Sequence, residues 1–191
     1  VQNQQLLRTI DSSSNFAFHF SMQWSPNHQY IVLNSSEIWS VTDGEKLFTL
    51  PAFTNVPTSN AIVWSPAGKT LAIGYLNVSG RSILTLLNAS DGTPLFQQSF
   101  TTPAATSIAW TPDGRYIIIP VVAQSGSWQI QIWDSQTEQM VQTLDASQTA
   151  DLSVLNDQIS ALSYSPVNNL IAFIFNKALW LCQSTQVNAI N

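Results

Sequence analysis

Two histidines, one cysteine and eleven carboxylates make up most of the proton-donating, nucleophilic or metal-binding groups in this sequence. Their spacing forms no reactive set. His19 lies in the apolar stretch from Phe16 to Phe20, where it is expected to pack or hydrogen-bond, and His28 lies in a polar turn, where it is expected to be solvated. Cys182 follows Trp180-Leu181 with no His or cation beside it in sequence to lower its pKa, so it reads as a small buried or edge thiol. A lone cysteine makes neither an internal disulfide nor a thiolate metal site. No Gly-x-Ser-x-Gly elbow, phosphate-cradling glycine loop or alternating Asp ladder for calcium occurs. Asp43-Gly44, Asp91-Gly92 and Asp113-Gly114 come singly, at positions that suit turns. The expectation is a protein that is not an enzyme and carries no cofactor and no metal.

Composition narrows the partners. The chain has 191 residues, of which 45% are hydrophobic but only 9% charged, with a net charge of −5. Ser, Thr, Asn and Gln must therefore supply most of its contact with water. Six cations against eleven anions argue against a nucleic-acid surface and against attraction to anionic lipid. The longest apolar run, Tyr116 to Ala123, is interrupted by Pro120 and falls far short of the roughly 20 residues that cross a bilayer, so no membrane insertion is expected. A protein or peptide partner and a cytoplasmic location are expected. The chain opens on Val1 rather than Met, which reads as a trimmed piece of a longer polypeptide.

The elements that position these residues repeat. Trp24-Ser25-Pro26, Trp64-Ser65-Pro66, Trp110-Thr111-Pro112 and Tyr164-Ser165-Pro166 recur at spacings of 40, 46 and 54 residues. Each ends an alternating stretch and opens a turn, because Pro presets φ and the Asn, Asp or Gly that follows tolerates φ > 0. An apolar second strand follows at Tyr30 to Leu33, Thr70 to Tyr75, Tyr116 to Val122 and Leu170 to Phe175. A third strand then ends near Trp39, Leu87, Trp133 or Trp180, and a fourth is clearest at Lys46 to Leu50, Leu95 to Phe100 and Gln139 to Leu144. No segment keeps a 3.6-residue apolar period, so the fold class is all-β. Four antiparallel strands per ~40–45 residues is the period of a β-propeller blade.

The unit from Ile108 to Tyr116, followed by Ile130-Gln131-Ile132-Trp133-Asp134 and Glu138 to Leu144, resembles the WD40 repeat of bacterial proteins, with the TolB-like propellers as second choice. Trp133-Asp134 is an intact Trp-Asp pair; its equivalents are Trp39-Ser40, Leu87-Asn88 and Trp180-Leu181, and the Gly-His dipeptide of many such repeats is missing. The reading divides a single domain over 1–191 into blades at 16–50, 61–100, 106–145 and 159–191, preceded by a fourth strand within 1–11. Gln5-Leu6-Leu7-Arg8-Thr9-Ile10-Asp11 matches Gln139 to Asp145, so that strand either closes a ring of four or belongs to a larger ring. A four-blade piece would leave two sheet faces bare, and self-association is expected, with two copies completing a ring of eight.

What the resemblance implies is peptide or protein binding on the face where loops gather, in a scaffold or sensor module appended to other domains. The alternatives are the propeller of a multidomain peptidase or hydrolase, and a TolB-like envelope protein outside the cytoplasm. On that loop face the distinctive groups are Phe53, Tyr75, Arg81, Trp128, Asp151 and Asp157, since an aromatic or Arg anchors a partner better than Ser or Thr. Trp128 shares strand parity with Ile130 and Ile132, which also fits a place in the core. The other six tryptophans sit at repeat-anchored strand positions and read as core. The loop from Ala146 to Asp157 is the longest insertion and ranks first as a partner contact or a plug.

Overall fold

The computed structural model describes residues 9, 22–34, 36–50, 61–77, 79, 81–101, 107–145, 159, 161–165, 168–175 and 178–183. They include fifteen strands in four antiparallel sheets, and no helix occurs among them. The first sheet holds β1 (Met22–Trp24), β2 (Tyr30–Leu33), β3 (Glu37–Ser40) and β4 (Lys46–Thr49). The second holds β5 (Ala61–Trp64), β6 (Thr70–Leu76), β7 (Ser82–Asn88) and β8 (Pro94–Phe100). The third holds β9 (Ala109–Trp110), β10 (Tyr116–Val122), β11 (Trp128–Asp134) and β12 (Met140–Asp145). The fourth holds β13 (Ala161–Ser165), β14 (Leu170–Phe175) and β15 (Ala178–Gln183). Each sheet runs in simple sequence order. Apart from Thr9, the expected strand at 5–11 lies outside the described residues, as do Val187 to Asn191 and the insertion from Ala146 to Asp157.

One local design is used three times. Ser25, Ser65 and Thr111 are buried, and their hydroxyls accept the backbone N–H of Tyr30 (2.9 Å), Thr70 (3.1 Å) and Tyr116 (2.9 Å) five residues on. The turn between them puts His28, Gly68 and Gly114 at positive φ. A second turn, after the third strand, places Gly44, Gly92 and Glu138 at positive φ. The two turns of each unit are tied by one equivalent bond: Val41 N–H to Gln29 O, Ala89 N–H to Lys69 O, and Ser135 N–H to Arg115 O, at 2.8–2.9 Å. Past the second turn the pairing of third and fourth strands shifts at Ile38/Trp39, Leu86/Leu87 and Ile132/Trp133. This bulge turns Leu47 and Leu95 out to solvent.

The sheets stack in chain order, and each interface has its own core. Val32 and Ile38 of the first sheet pack with Trp64, Leu71, Ile73 and Leu87 of the second. Ala72, Leu84, Leu86 and Phe96 pack with Ile117, Ile119 and Val121 of the third. Tyr116, Ile118, Ile130 and Ile132 pack with Ile171 and Phe173 of the fourth. A strand in the middle of this stack is covered on both faces, so Ile117-Ile118-Ile119 is wholly buried. Each such side chain contributes about 1.5–3 kcal/mol. Three successive interfaces are more than a two-layer sandwich contains.

Candidate functional site: a neutral cleft at the hairpin edge

The strand order brings all second-to-third-strand hairpins to one edge of the stack. There Leu33 pairs with Glu37, Leu76 with Ser82, Val122 with Trp128 and Phe175 with Ala178. The fourth strands leave from the same edge, as the pairing of Ser82 with Phe100 shows. This is the loop face expected from the sequence.

Two hairpins on it are well braced. Asn77 Oδ1 accepts from the backbone N–H of Ser79 (3.0 Å) and Arg81 (2.9 Å) and from the Ser79 hydroxyl (2.8 Å). Arg81 itself is exposed on this rim. In the hairpin between β10 and β11, Ala123 N–H donates to Ser127 O at 2.7 Å, and Gly126 takes φ 88°.

Between the second and third sheets, at this edge, is a cleft of about 310 Å³ lined by Ser99, Phe100, Thr101, Val121, Val122, Ala123, Gln124, Gln129 and Gln131. Its apolar lining is Phe100 and the valines; its polar lining is amides and hydroxyls. No ionisable side chain lines it. The two glutamines of β11 are placed by strand alternation. Trp128, Ile130 and Ile132 point into the interface with the fourth sheet, so Gln129 and Gln131 point the other way, toward the second sheet. Gln131 Oε1 accepts from Trp133 Nε1 at 3.1 Å, which fixes its carbonyl.

The residues singled out from the sequence separate here. Phe53, Asp151 and Asp157 lie outside the described residues, as does His19. Tyr75 is half-buried at the edge of the first interface, and its hydroxyl accepts from Gln97 Nε2 at 3.3 Å. Trp128 is only 8% exposed and belongs to the core between the third and fourth sheets. Its parity with Ile130 and Ile132 decides its place, and it offers no surface to a partner. Gln129 and Gln131 are not among the site residues expected from the sequence, which are aromatic or charged. Their signal was present: amides at every second position of a strand that is covered on both faces.

The displaced ionisable groups serve the scaffold. Burial pushes Asp134 up, but the N–H groups of Thr137 and Gln136 and the Arg115 guanidinium outweigh it and hold the carboxyl below its usual range. Arg115 is raised, first by its hydrogen bond to Asp134. Thr93 lowers Asp91 through backbone and side-chain bonds. Burial raises Cys182, and burial with the nearby Asp113 charge raises Tyr164. His28 is an exposed turn residue. Among the described residues, no three His, Cys, Asp or Glu side chains come together as a metal site.

No protein-family model matches the chain, and no curated protein matches it by sequence. Solved structures do. Dihydro-heme d1 dehydrogenase NirN in complex with DHE superposes with a TM-score of 0.54 at 14% identity, over 87% of this chain and 32% of its own. A chain of the mitotic checkpoint complex superposes with a TM-score of 0.54 at 15% identity, over 87% of this chain and 62% of its own. The chain thus spans less than two thirds of either neighbour. At such identities the likeness concerns the fold alone, and that fold is the β-propeller. This chain is a β-propeller domain with four sheets as its blades.

Proposed function

We propose that this propeller is a non-catalytic recognition module, a scaffold or sensor piece of a longer polypeptide, that holds an uncharged peptide segment in the cleft between its second and third blades. The lining of that cleft carries the reading. Each glutamine amide offers two donors and an acceptor, the complement of a peptide bond, and the lining gives an ionic ligand no counter-charge. Beside it runs β8, the outer strand of its blade, whose far edge pairs with no strand among the described residues. An extended peptide can use such an edge for main-chain hydrogen bonds while its side chains settle beside the half-buried Val122 and Ala123 of the lining. The bacterial WD40 resemblance and a neighbour drawn from a protein assembly, the mitotic checkpoint complex, are consistent with a protein partner. The reading assigns no cofactor, no nucleic acid and a cytoplasmic location; the net charge of −5 supports the second of these.

The test is selection of a random peptide library on the folded chain, followed by titration of an enriched peptide. Gln129→Leu with Gln124→Ala should weaken binding about tenfold, the worth of one or two amide hydrogen bonds. The far-UV spectrum should not change. Failure to enrich any peptide, or binding indifferent to both substitutions, would overturn the reading.

A further inference from the structure

We infer that the cleft takes a tyrosine side chain from its ligand, seated where the preceding interface holds the ring of Tyr75. This rests on the cleft reading above and names the anchor of the bound segment. Strand register carries the argument. Leu71, Ile117 and Ile171 each pair with the aromatic residue of the recurring tripeptide in their blade, Trp64, Trp110 and Tyr164. Four residues further along the second strand stand Tyr75, Val121 and Phe175, opposite Ile83, Gln129 and Ala178. The position is aromatic in the second and fourth blades and a valine in the third. Leu71 and Ile73 face the first blade, with Tyr75 packed against the same cluster; Ile117, Ile119 and Val121 face the second blade in the same way. Tyr75 thus fills the hairpin end of one interface. The cleft lies at the matching end of the next, beside the smaller Val121.

A polar partner for the phenol is present as well. The Tyr75 hydroxyl accepts from Gln97 Nε2 at 3.3 Å, and the same amide donates to Thr85 Oγ1 at 3.2 Å. In the third blade Gln131 holds the register place of Thr85, and Thr143 that of Gln97. The amide has moved from the outer strand to the third strand and still lines the site. Gln131 Oε1 is taken by Trp133 Nε1, while the Gln131 amino group has no partner among the described residues. A phenol oxygen in the cleft accepts from it as Tyr75 accepts from Gln97. A phenylalanine ring would displace water from that donor and replace it with nothing. With no ionisable side chain in the lining, a phosphorylated tyrosine meets no counter-charge and is excluded. The volume of about 310 Å³ is at the low end for ligand pockets, which suits one anchor side chain.

The probes are N-acetyl-tyrosinamide and its phenylalanine, leucine and O-phosphotyrosine counterparts, titrated at millimolar concentration into the 191-residue chain and followed by saturation-transfer NMR. The tyrosine probe should bind about five- to tenfold more tightly than the phenylalanine probe, the worth of one amide hydrogen bond. The leucine probe should bind more weakly still, and the phosphotyrosine probe not at all. Val121→Tyr, which installs the residue of the preceding interface, should abolish binding of the tyrosine probe. Gln131→Met, which keeps the length of the side chain and removes the donor, should erase the preference for tyrosine over phenylalanine; this variant decides the matter if Val121→Tyr does not fold by circular dichroism. No binding of the tyrosine probe, equal binding of the phosphotyrosine probe, or a preference that survives Gln131→Met would overturn the inference. A library that enriches peptides without tyrosine sinks this anchor and leaves peptide recognition standing. A library that enriches nothing sinks peptide recognition, whatever the single-residue probes do.

Discussion

Arg115 Nε donates to Asp134 Oδ2 at 3.0 Å and joins the two turns of the third blade. Asp134 Oδ1 also accepts the backbone N–H of Gln136 (2.9 Å) and Thr137 (3.0 Å). On the other side, Asp113 Oδ1 accepts the Thr111 hydroxyl and Arg115 N–H, and that hydroxyl in turn accepts Tyr116 N–H. Asp134 has a side chain only 3% exposed, so water has little access to replace these bonds.

This network makes the fold acid-sensitive. The folded Asp134 carboxyl is held below its unfolded value of about 3.9. Its stabilisation is therefore complete above that value and is lost as pH falls through the folded pKa. Asp134→Asn should lower stability at neutral pH by about 1–3 kcal/mol. The loss of thermal midpoint between pH 7 and roughly pH 3 should then be smaller than in the wild type, since one carboxyl no longer titrates. Equal acid sensitivity in both proteins would assign that sensitivity to other carboxylates.

Two glycines at similar φ should respond differently to alanine. Gly114 has φ 70°, and a Cβ there would meet nothing closer than Pro66 Cδ at 3.7 Å. Gly114→Ala should cost only the left-handed backbone penalty, about 1–2 kcal/mol. Gly92 has φ 74°, and a Cβ there would stand 2.7 Å from Cδ2 of Phe48, across the interface from the first blade. Gly92→Ala should cost about 2–4 kcal/mol, because the overpacked ring must also shift. Urea unfolding midpoints give the comparison; equal losses would mean that Phe48 moves aside freely.

Cys182 should be a slow nucleophile. Burial pushes its thiol pKa up, and its Sγ lies 3.7 Å from Ile171 O, the geometry of a weak S–H donor. Labelling by a disulfide reagent at pH 8 should be about tenfold or more slower in the folded chain than in urea, where the thiolate is free to form. Similar rates in the two states would show the thiol to be open to solvent.

Much of the framework was legible because its determinants are local. The Ser or Thr hydroxyl, the proline and the left-handed residue close the turns of the first three blades within six positions, so second strands such as Tyr30–Leu33 and Tyr116–Val122 fall where the sequence places them. The equivalence of Trp39-Ser40, Leu87-Asn88 and Trp133-Asp134 follows in the same way, since Ser40, Asn88 and Asp134 each open the second turn of their blade. Trp128 was less clear: alternation placed it on a face with Ile130, but its position beside a loop suggested a surface anchor.

The amino-acid sequence by itself determined the repeat, the class of fold and the turns, because those depend on bonds between near neighbours in the chain. Only the tertiary structure decided which of two covered faces each side chain meets. Gln129 and Gln131 line a cleft because the end of β8, some thirty residues earlier, stands opposite them. Leu179 and Leu181 have the register of core residues and lie bare because, among the described residues, no fifth sheet follows. Burial depends on what stands across an interface, and the pattern along one strand is the same whether that neighbour is present or not.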